Sequence, residues 1–182
     1  MPKEIEIKFS VEDENEMLRM LEHIGAEQIS SGLEHNIVFD NDELRKNNFL
    51  LRLRQYAGKN ILTFKHTIEQ KEFKEANETE THVSDFNAMK EIILSLGYEV
   101  FWIYEKERTK FRIRDTIVSI DKLPFATFME IEGSENGIRD TISKLGLDMT
   151  NGITETYLEL YQKHCKEKDI EMDNLIFWKR SK

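Results

Sequence analysis

Cysteine is almost absent: Cys165 stands alone in 182 residues. A single thiol excludes an intramolecular disulfide and points to a reducing compartment, so a cytoplasmic location is expected. Proline occurs twice and glycine eight times, with no Ser/Gly/Pro-rich linker or low-complexity run to mark a domain boundary. Long apolar runs are also missing. Met1 to Ser10 alternates charge with apolarity, the pattern of neither a signal peptide nor a membrane span. Basic charge is in deficit: 26 Lys plus Arg against 35 Asp plus Glu give a formal net charge of −9. Such a chain is poorly suited to wrap nucleic acid or to lie on an anionic membrane, and neither is expected as a partner. What remains is a single globular domain over residues 1–182, long enough for a substantial core.

Three segments carry helical spacing and stop at glycine. The first starts from Ser10 as N-cap, sets Met17, Leu18, Leu21 and Ile24 on one face and ends at Gly25. The second starts at Ser84 or Asp85, carries Phe86, Met89, Ile93 and Leu96, and ends at Gly97; the third starts near Ser134, carries Ile138, Ile142 and Leu145, and ends at Gly146. Ser and Asp satisfy the first free N–H groups of a helix, and glycine suits the residue that ends one. Between the helices the period switches to two, which predicts strands at 3–9, 35–40, 49–56, 60–66, 76–83, 99–113, 116–121 and 126–132. Hairpin turns are expected at Ala57-Gly58-Lys59 and Arg114-Asp115. A last helix is expected over about 153–165, followed by a charged tail, 166–182. Leu175, Ile176, Phe177 and Trp178 make that tail apolar near its end, so it either packs on the body or forms a self-association patch in a homodimer. Eight strands suffice to close a barrel, and the order reads as α+β.

Successive strand residues face opposite sides. Glu4, Glu6 and Lys8 therefore share a face opposite Ile5, Ile7 and Phe9. Arg52 and Arg54 oppose Leu51 and Leu53, and Lys65 opposes Leu62 and Phe64. Glu78, Glu80 and His82 share one face of their strand. Lys106, Arg108, Lys110, Arg112 and Arg114 share another, opposite Thr109, Phe111 and Ile113. Asp121 closes the seventh strand beside Ser119, and Glu130 and Glu132 oppose Met129 and Ile131. For one strand alone, a solvated face is the ordinary explanation. Here the signs are sorted by strand, and like charges two positions apart repel. Their repetition implies compensation: metal ions for the carboxylate pairs, phosphates for the basic pairs. Mg2+ and Mn2+ favour carboxylate oxygens shared with substrate phosphates, arginine forks hold phosphate bidentately, and lysine acts as a point charge. A barrel with its charged face inward and its apolar face under the helices fits this inventory.

These residues resemble a known family. Glu4-Ile5-Glu6-Ile7-Lys8 is similar to the N-terminal ExExK signature of the CYTH group, the triphosphate tunnel metalloenzymes, which includes class IV adenylyl cyclases, thiamine triphosphatases and inorganic triphosphatases. The similarity continues in order through Leu51-Arg52-Leu53-Arg54, Leu62-Thr63-Phe64-Lys65, Glu78-Thr79-Glu80, Lys106-Glu107-Arg108, Ser119-Ile120-Asp121, Met129-Glu130-Ile131-Glu132 and Thr156-Tyr157-Leu158-Glu159-Leu160. The resemblance implies an eight-stranded antiparallel tunnel that binds a triphosphate-containing small molecule with one or two Mg2+ or Mn2+ ions. It implies Glu4, Glu6, Asp121, Glu130 and Glu132 as metal ligands, joined by Glu78 and Glu80. Lys8, Arg52, Arg54, Lys65, Lys106 and Arg108 would hold the phosphates, with Lys8, Lys65 and Arg108 as catalytic cations. One metal would grip the chain and a second would help position water for attack on a terminal phosphorus.

This chain departs from the family pattern in its second strand. His35-Asn36-Ile37-Val38-Phe39-Asp40 has Asn36 and Val38 where many relatives carry an acidic residue and a tyrosine. Lys110, Arg112 and Arg114 run past the basic motif and read as a solvated tunnel rim. Tyr157 lies on a C-terminal helix of the kind that can plug one tunnel mouth in this family. The five histidines show no metal-type spacing, Cys165 beside His164 reads as an inert thiol, and no P-loop run occurs. The preferred activity is hydrolysis of tripolyphosphate or of an organic triphosphate such as thiamine triphosphate. The alternatives are an adenylyl cyclase that makes cyclic AMP and pyrophosphate, and a non-catalytic binder of polyphosphate or nucleotide.

Overall fold

The computed structural model describes residues 3–70 and 72–177. Its strands are β1 (Lys3–Ser10), β2 (Glu27–Asp40), β3 (Phe49–Tyr56), β4 (Lys59–Gln70), β5 (Lys74–Val83), β6 (Glu99–Ile113), β7 (Thr116–Lys122) and β8 (Thr127–Glu132). All pair antiparallel and close into a barrel in the order β1-β5-β4-β3-β2-β6-β7-β8. The expected α+β barrel is therefore the observed fold. The hairpin between β3 and β4 turns on Ala57 and Gly58, both at positive φ (48° and 74°), as a tight two-residue connection requires.

The apolar strand faces point outward and the helices cover them. Ile7, Phe9, Val118, Ile120, Met129 and Ile131 form one cluster with Met17 and Leu21 of α1 (Glu14–His23) and Ile138 and Ile142 of α4 (Glu135–Lys144). Ile37, Phe39 and Leu53 meet Ile93 of α3 (Phe86–Ser95), the helix that follows a five-residue α2 (Asp42–Lys46). A third cluster has a different role. Tyr157, Tyr161 and Cys165 of α5 (Tyr157–Lys168) pack on Val38, Trp102, Tyr104 and Phe128. These four occupy the same strand faces as the barrel's charged residues, so α5 plugs one mouth of the barrel.

Several boundaries differ from the sequence reading, each for a physical reason. β2 begins at Glu27, not 35. Residues 27–34 include Ser30-Ser31-Gly32, which reads as a loop, but β6 recruits them through a register from Glu27↔Arg112 to Glu34↔Lys106. Ser10 is the last residue of β1, opposite Phe128, and Asp13 caps α1 instead, its carboxylate accepting from the Glu16 N–H at 3.0 Å. α5 starts at Tyr157 behind a Thr156–Glu159 capping box, because Ile153 is held in an extended bridge with Lys8. The tail follows β6 beyond the end of β7. The Glu105 N–H donates to the Leu175 carbonyl at 2.7 Å, and the Leu175 N–H to that of Ile103 at 2.9 Å. Leu175 is buried in the α5 cluster, while Trp178 lies outside the described residues.

Candidate functional site

The inward strand faces enclose a cavity of about 270 Å3. The candidate residues Glu4, Glu6, Lys8, Arg52, Arg54, Lys65, Glu78, Glu80, Lys106, Arg108, Glu130 and Glu132 all line it. Side chains scattered over 129 positions of sequence thus meet in one enclosed space. Like charges run along each strand, but the register sets opposite charges across the ladder. Lys8 lies opposite Glu130, Glu6 opposite Lys74, Lys65 opposite Glu78 and Arg108 opposite Asp121. Directly opposed residues of opposite charge attract. Neighbouring strands therefore supply part of the compensation that the sequence reading assigned wholly to metal and phosphate.

One half of the network centres on Glu6. Its carboxylate accepts from Lys8 Nζ at 2.7 Å and Lys74 Nζ at 2.9 Å, with Lys65 Nζ at 3.7 Å. Burial alone would raise the Glu6 pKa, but Lys8, Lys74 and Lys65 outweigh it and hold the group well below the usual carboxylate range. Lys65 Nζ also pairs with Glu4 and lies 3.3 Å from Glu78 Oε2. That Glu78 oxygen is buried and makes no hydrogen bond. Glu4 behaves differently from Glu6: burial, with the nearby charges of Glu6 and Glu78, pushes its pKa up to about 7 despite Lys65. Glu132 is also raised, by burial and by Glu130.

The other half centres on Asp121, which is fully buried. It accepts from Arg108 Nε at 2.6 Å, Arg108 Nη2 at 2.5 Å, Lys106 Nζ at 2.9 Å and the Tyr157 hydroxyl at 2.6 Å. Four donors occupy its two oxygens, and it does not line the cavity. Asp121 thus stands behind the basic row, in contact with Lys106, Arg108 and Tyr157, whereas the other expected metal ligands face the cavity. Arg108 reaches forward to Glu130 Oε1 at 2.9 Å. Burial disfavours the charge of Arg108, yet Asp121, Glu130 and Glu34 raise its pKa well above the usual value. Lys106 and Lys8 also lie over the Tyr157 ring, 4.8 and 5.3 Å from its centroid.

Two residues of this network went unseen in the sequence. Glu34 is fully buried, with Lys106 Nζ at 3.4 Å, Arg54 Nε at 3.5 Å and Arg108 Nε at 3.9 Å. Asn36 donates to Glu34 Oε1 at 3.1 Å and accepts from Arg54 Nε at 3.3 Å, so the departing second strand holds the basic cluster together. Starting that strand at 35 hid Glu34, although it shares parity with Asn36 and Val38. Lys74 fell outside a strand drawn from 76, although it shares parity with Glu78 and Glu80. Toward the open mouth, Thr63 donates to Glu80 at 2.7 Å, and Arg52 Nη2 lies 3.8 Å from Glu80 Oε1. Arg112 and Arg114 are exposed, as a solvated rim requires, whereas Lys110 lines the cavity.

Glu4 allows a direct check. Its raised folded pKa means that the fold prefers the protonated form, so its contribution opposes folding once pH exceeds the unfolded value of 4.5 and grows until about 7. Ligand-free protein should therefore lose on the order of 2 kcal/mol between pH 5 and pH 7.5 from this group. Glu4→Gln should remove that loss and be the more stable protein at pH 7.5. Denaturant midpoints at the two pH values test this, and identical slopes for both proteins would refute it.

Comparison with known proteins agrees with this geometry. Residues 2–157 match the CYTH domain family model. A protein of Methanocaldococcus jannaschii, provisionally named an adenylate cyclase, is 26% identical over 170 residues, covering 86% of this chain and 97% of its own. A solved protein of Pyrococcus horikoshii OT3 superposes with a TM-score of 0.77 at 25% identity, over 86% of this chain and 98% of that one. A Hippeastrum protein, provisionally called an adenylyl cyclase and described as having a dominant triphosphatase activity, shares the fold with a TM-score of 0.65 at 16% identity, over 88% and 96% of the two chains.

Proposed function

The chain belongs to the CYTH family of triphosphate-processing tunnel enzymes, and from that premise we propose that it is a divalent-metal-dependent triphosphatase acting on tripolyphosphate or an organic triphosphate such as thiamine triphosphate. The observation that carries this reading is the shared lining of one cavity by six candidate phosphate cations and by carboxylates from β1, β5 and β8. Lys8, Arg52, Arg54, Lys65, Lys106 and Arg108 would bind the phosphate oxygens. Their long, partly buried side chains already sit in fixed pairs, so little reorganisation opposes binding. Lys8, Lys65 and Arg108 would neutralise charge that grows on the transferring and leaving groups. Asp121 and Glu34 would hold Arg108, Lys106 and Arg54 in position from behind. Tyr157 and the rest of α5 would exclude water from the plugged mouth.

The donor set suits a hard cation. It consists of carboxylate oxygens, one of them the buried Glu78 Oε2 without a hydrogen bond, and one of them on Glu4, whose pKa burial and the charges of Glu6 and Glu78 push up to about 7. Among the described residues no three acidic or histidine side chains are gathered at chelating distance; the Lys65 ammonium lies between Glu4, Glu6 and Glu78. Glu4, Glu6, Glu130 and Glu132, with Glu78 and Glu80, would hold one or two Mg2+ or Mn2+ ions. Bound there, such an ion supplies positive charge to phosphate oxygens and a site for ordered water.

A second reading, adenylyl cyclase, is favoured by the name of the Methanocaldococcus jannaschii relative. One assay separates the two. Protein with Mg2+ or Mn2+ is given tripolyphosphate, thiamine triphosphate and ATP in turn, and the products are identified. Orthophosphate release that stops on chelation with EDTA is expected. Cyclic AMP with pyrophosphate would favour the cyclase instead, and tight binding without turnover would leave a non-catalytic binder.

A further inference from the structure

Lys110 stands apart from the other basic residues of the cavity. Lys8, Lys65, Lys74 and Lys106 each pair with a carboxylate, as do Arg52, Arg54 and Arg108. Among the described residues, Lys110 lines the same cavity with a side chain that makes no hydrogen bond or ion pair. It follows Lys106 and Arg108 on the inward face of β6, one step further from the α5 plug. Tyr104 on the same face packs in the plug, while Arg112 beyond Lys110 is exposed at the open mouth. Side chains two positions apart on a strand are about 6.7 Å apart, so the row from Lys106 to Lys110 extends about 13 Å. That exceeds the length of three phosphorus atoms joined through single bridging oxygens.

We infer that Lys110 is a specificity-determining residue that holds the portion of a polyphosphate chain extending past three phosphates toward the open mouth, so that the site favours a four-phosphate chain over a three-phosphate one. This rests on the proposed phosphate-binding role of the tunnel. The cation is held there at a cost: burial, followed by the nearby charges of Arg108 and Arg54, pushes the Lys110 pKa down. Glu132 and Glu130 oppose that shift without outweighing it. A phosphate oxygen on Lys110 would restore the lost solvation and add a charge-assisted hydrogen bond. A triphosphate seated against Lys106 and Arg108 leaves that bond unmade, and a fourth phosphate makes it.

The test is direct binding of tripolyphosphate and tetrapolyphosphate by calorimetry in EDTA, without turnover. The intact protein should bind the tetraphosphate about 10-fold more tightly than the triphosphate. In Lys110→Met that ratio should fall to within about 2-fold, and Lys110→Arg should preserve most of it. A merely structural role would weaken both ligands together and leave the ratio intact, which overturns the inference. So does an intact protein that binds both chains equally. If neither chain binds the intact protein in EDTA, recognition by the cations alone and this inference with it fall. If Mg2+ restores neither binding nor hydrolysis, the phosphate-tunnel reading falls too, an outcome distinct from binding without preference.

Discussion

Glu6→Gln is expected to cut turnover of tripolyphosphate by at least about 100-fold, and Lys8→Ala by a similar factor, in line with the loss of a preorganised electrostatic stabiliser. Glutamine keeps the shape of glutamate and removes one charge, yet that charge is shared among Lys8, Lys74 and Lys65. Lys8 retains Glu130 at 3.2 Å and Lys65 retains Glu4 and Glu78. Lys74 pairs with Glu6 at 2.9 Å, and burial already lowers its pKa. Losing Glu6 would lower it further and weaken the hold on that cation, changing the field at the cavity wall as well as deleting a carboxylate. Lys8→Ala removes the cation that links Glu6 to Glu130 and turns two nearby carboxylates against each other. Steady-state rates settle the matter, with far-UV circular dichroism to show that both variants fold. Folded variants with wild-type-like turnover would place the chemistry elsewhere.

Asp121→Ala should have the largest effect on stability. Truncation leaves two buried cations, Arg108 and Lys106, and the Tyr157 hydroxyl without their shared acceptor. Breaking a buried charge network from one side costs about 3–5 kcal/mol, which for a chain of this size lowers the melting temperature by on the order of 10 °C. Glu130 at 2.9 Å from Arg108 and Glu34 at 3.4 Å from Lys106 keep the loss from being greater. The pH dependence has a defined sign. Burial would raise the Asp121 pKa, but Arg108 and Lys106 hold it below its ordinary 3.8. Its stabilisation is thus complete above the unfolded pKa and is lost as pH falls through the lower folded one. The gap in stability between wild type and Asp121→Ala should therefore be full at pH 7 and shrink below pH 4. Thermal melts across that range measure it, and a gap that widens in acid would contradict the assigned role of Asp121.

Legibility in the sequence followed how local each feature is. The faces of β1, β3 and β8 could be read from Glu4-Ile5-Glu6, Leu51-Arg52-Leu53-Arg54 and Met129-Glu130-Ile131-Glu132, because parity needs no knowledge of neighbours. The start of β2 could not. Ser30-Ser31-Gly32 has little strand preference of its own and is extended only because β6 pairs with it. Glu34 was lost with that boundary. Asp121 was located, but its immediate partners were not, since four donors from β6 and α5 reach it across 13 to 36 residues of chain.

The amino-acid sequence by itself determined the alternation of apolar and charged side chains and the sorting of charge sign by strand, because a strand's period of two is set by its own backbone. Those two facts were enough to demand one buried charged face and one covered apolar face. The tertiary structure alone decided which acid meets which base, that α5 seals one mouth, and that among the described residues the Lys110 side chain makes no ion pair. These depend on strand order and register, which are fixed by hydrogen bonds between segments far apart in the chain.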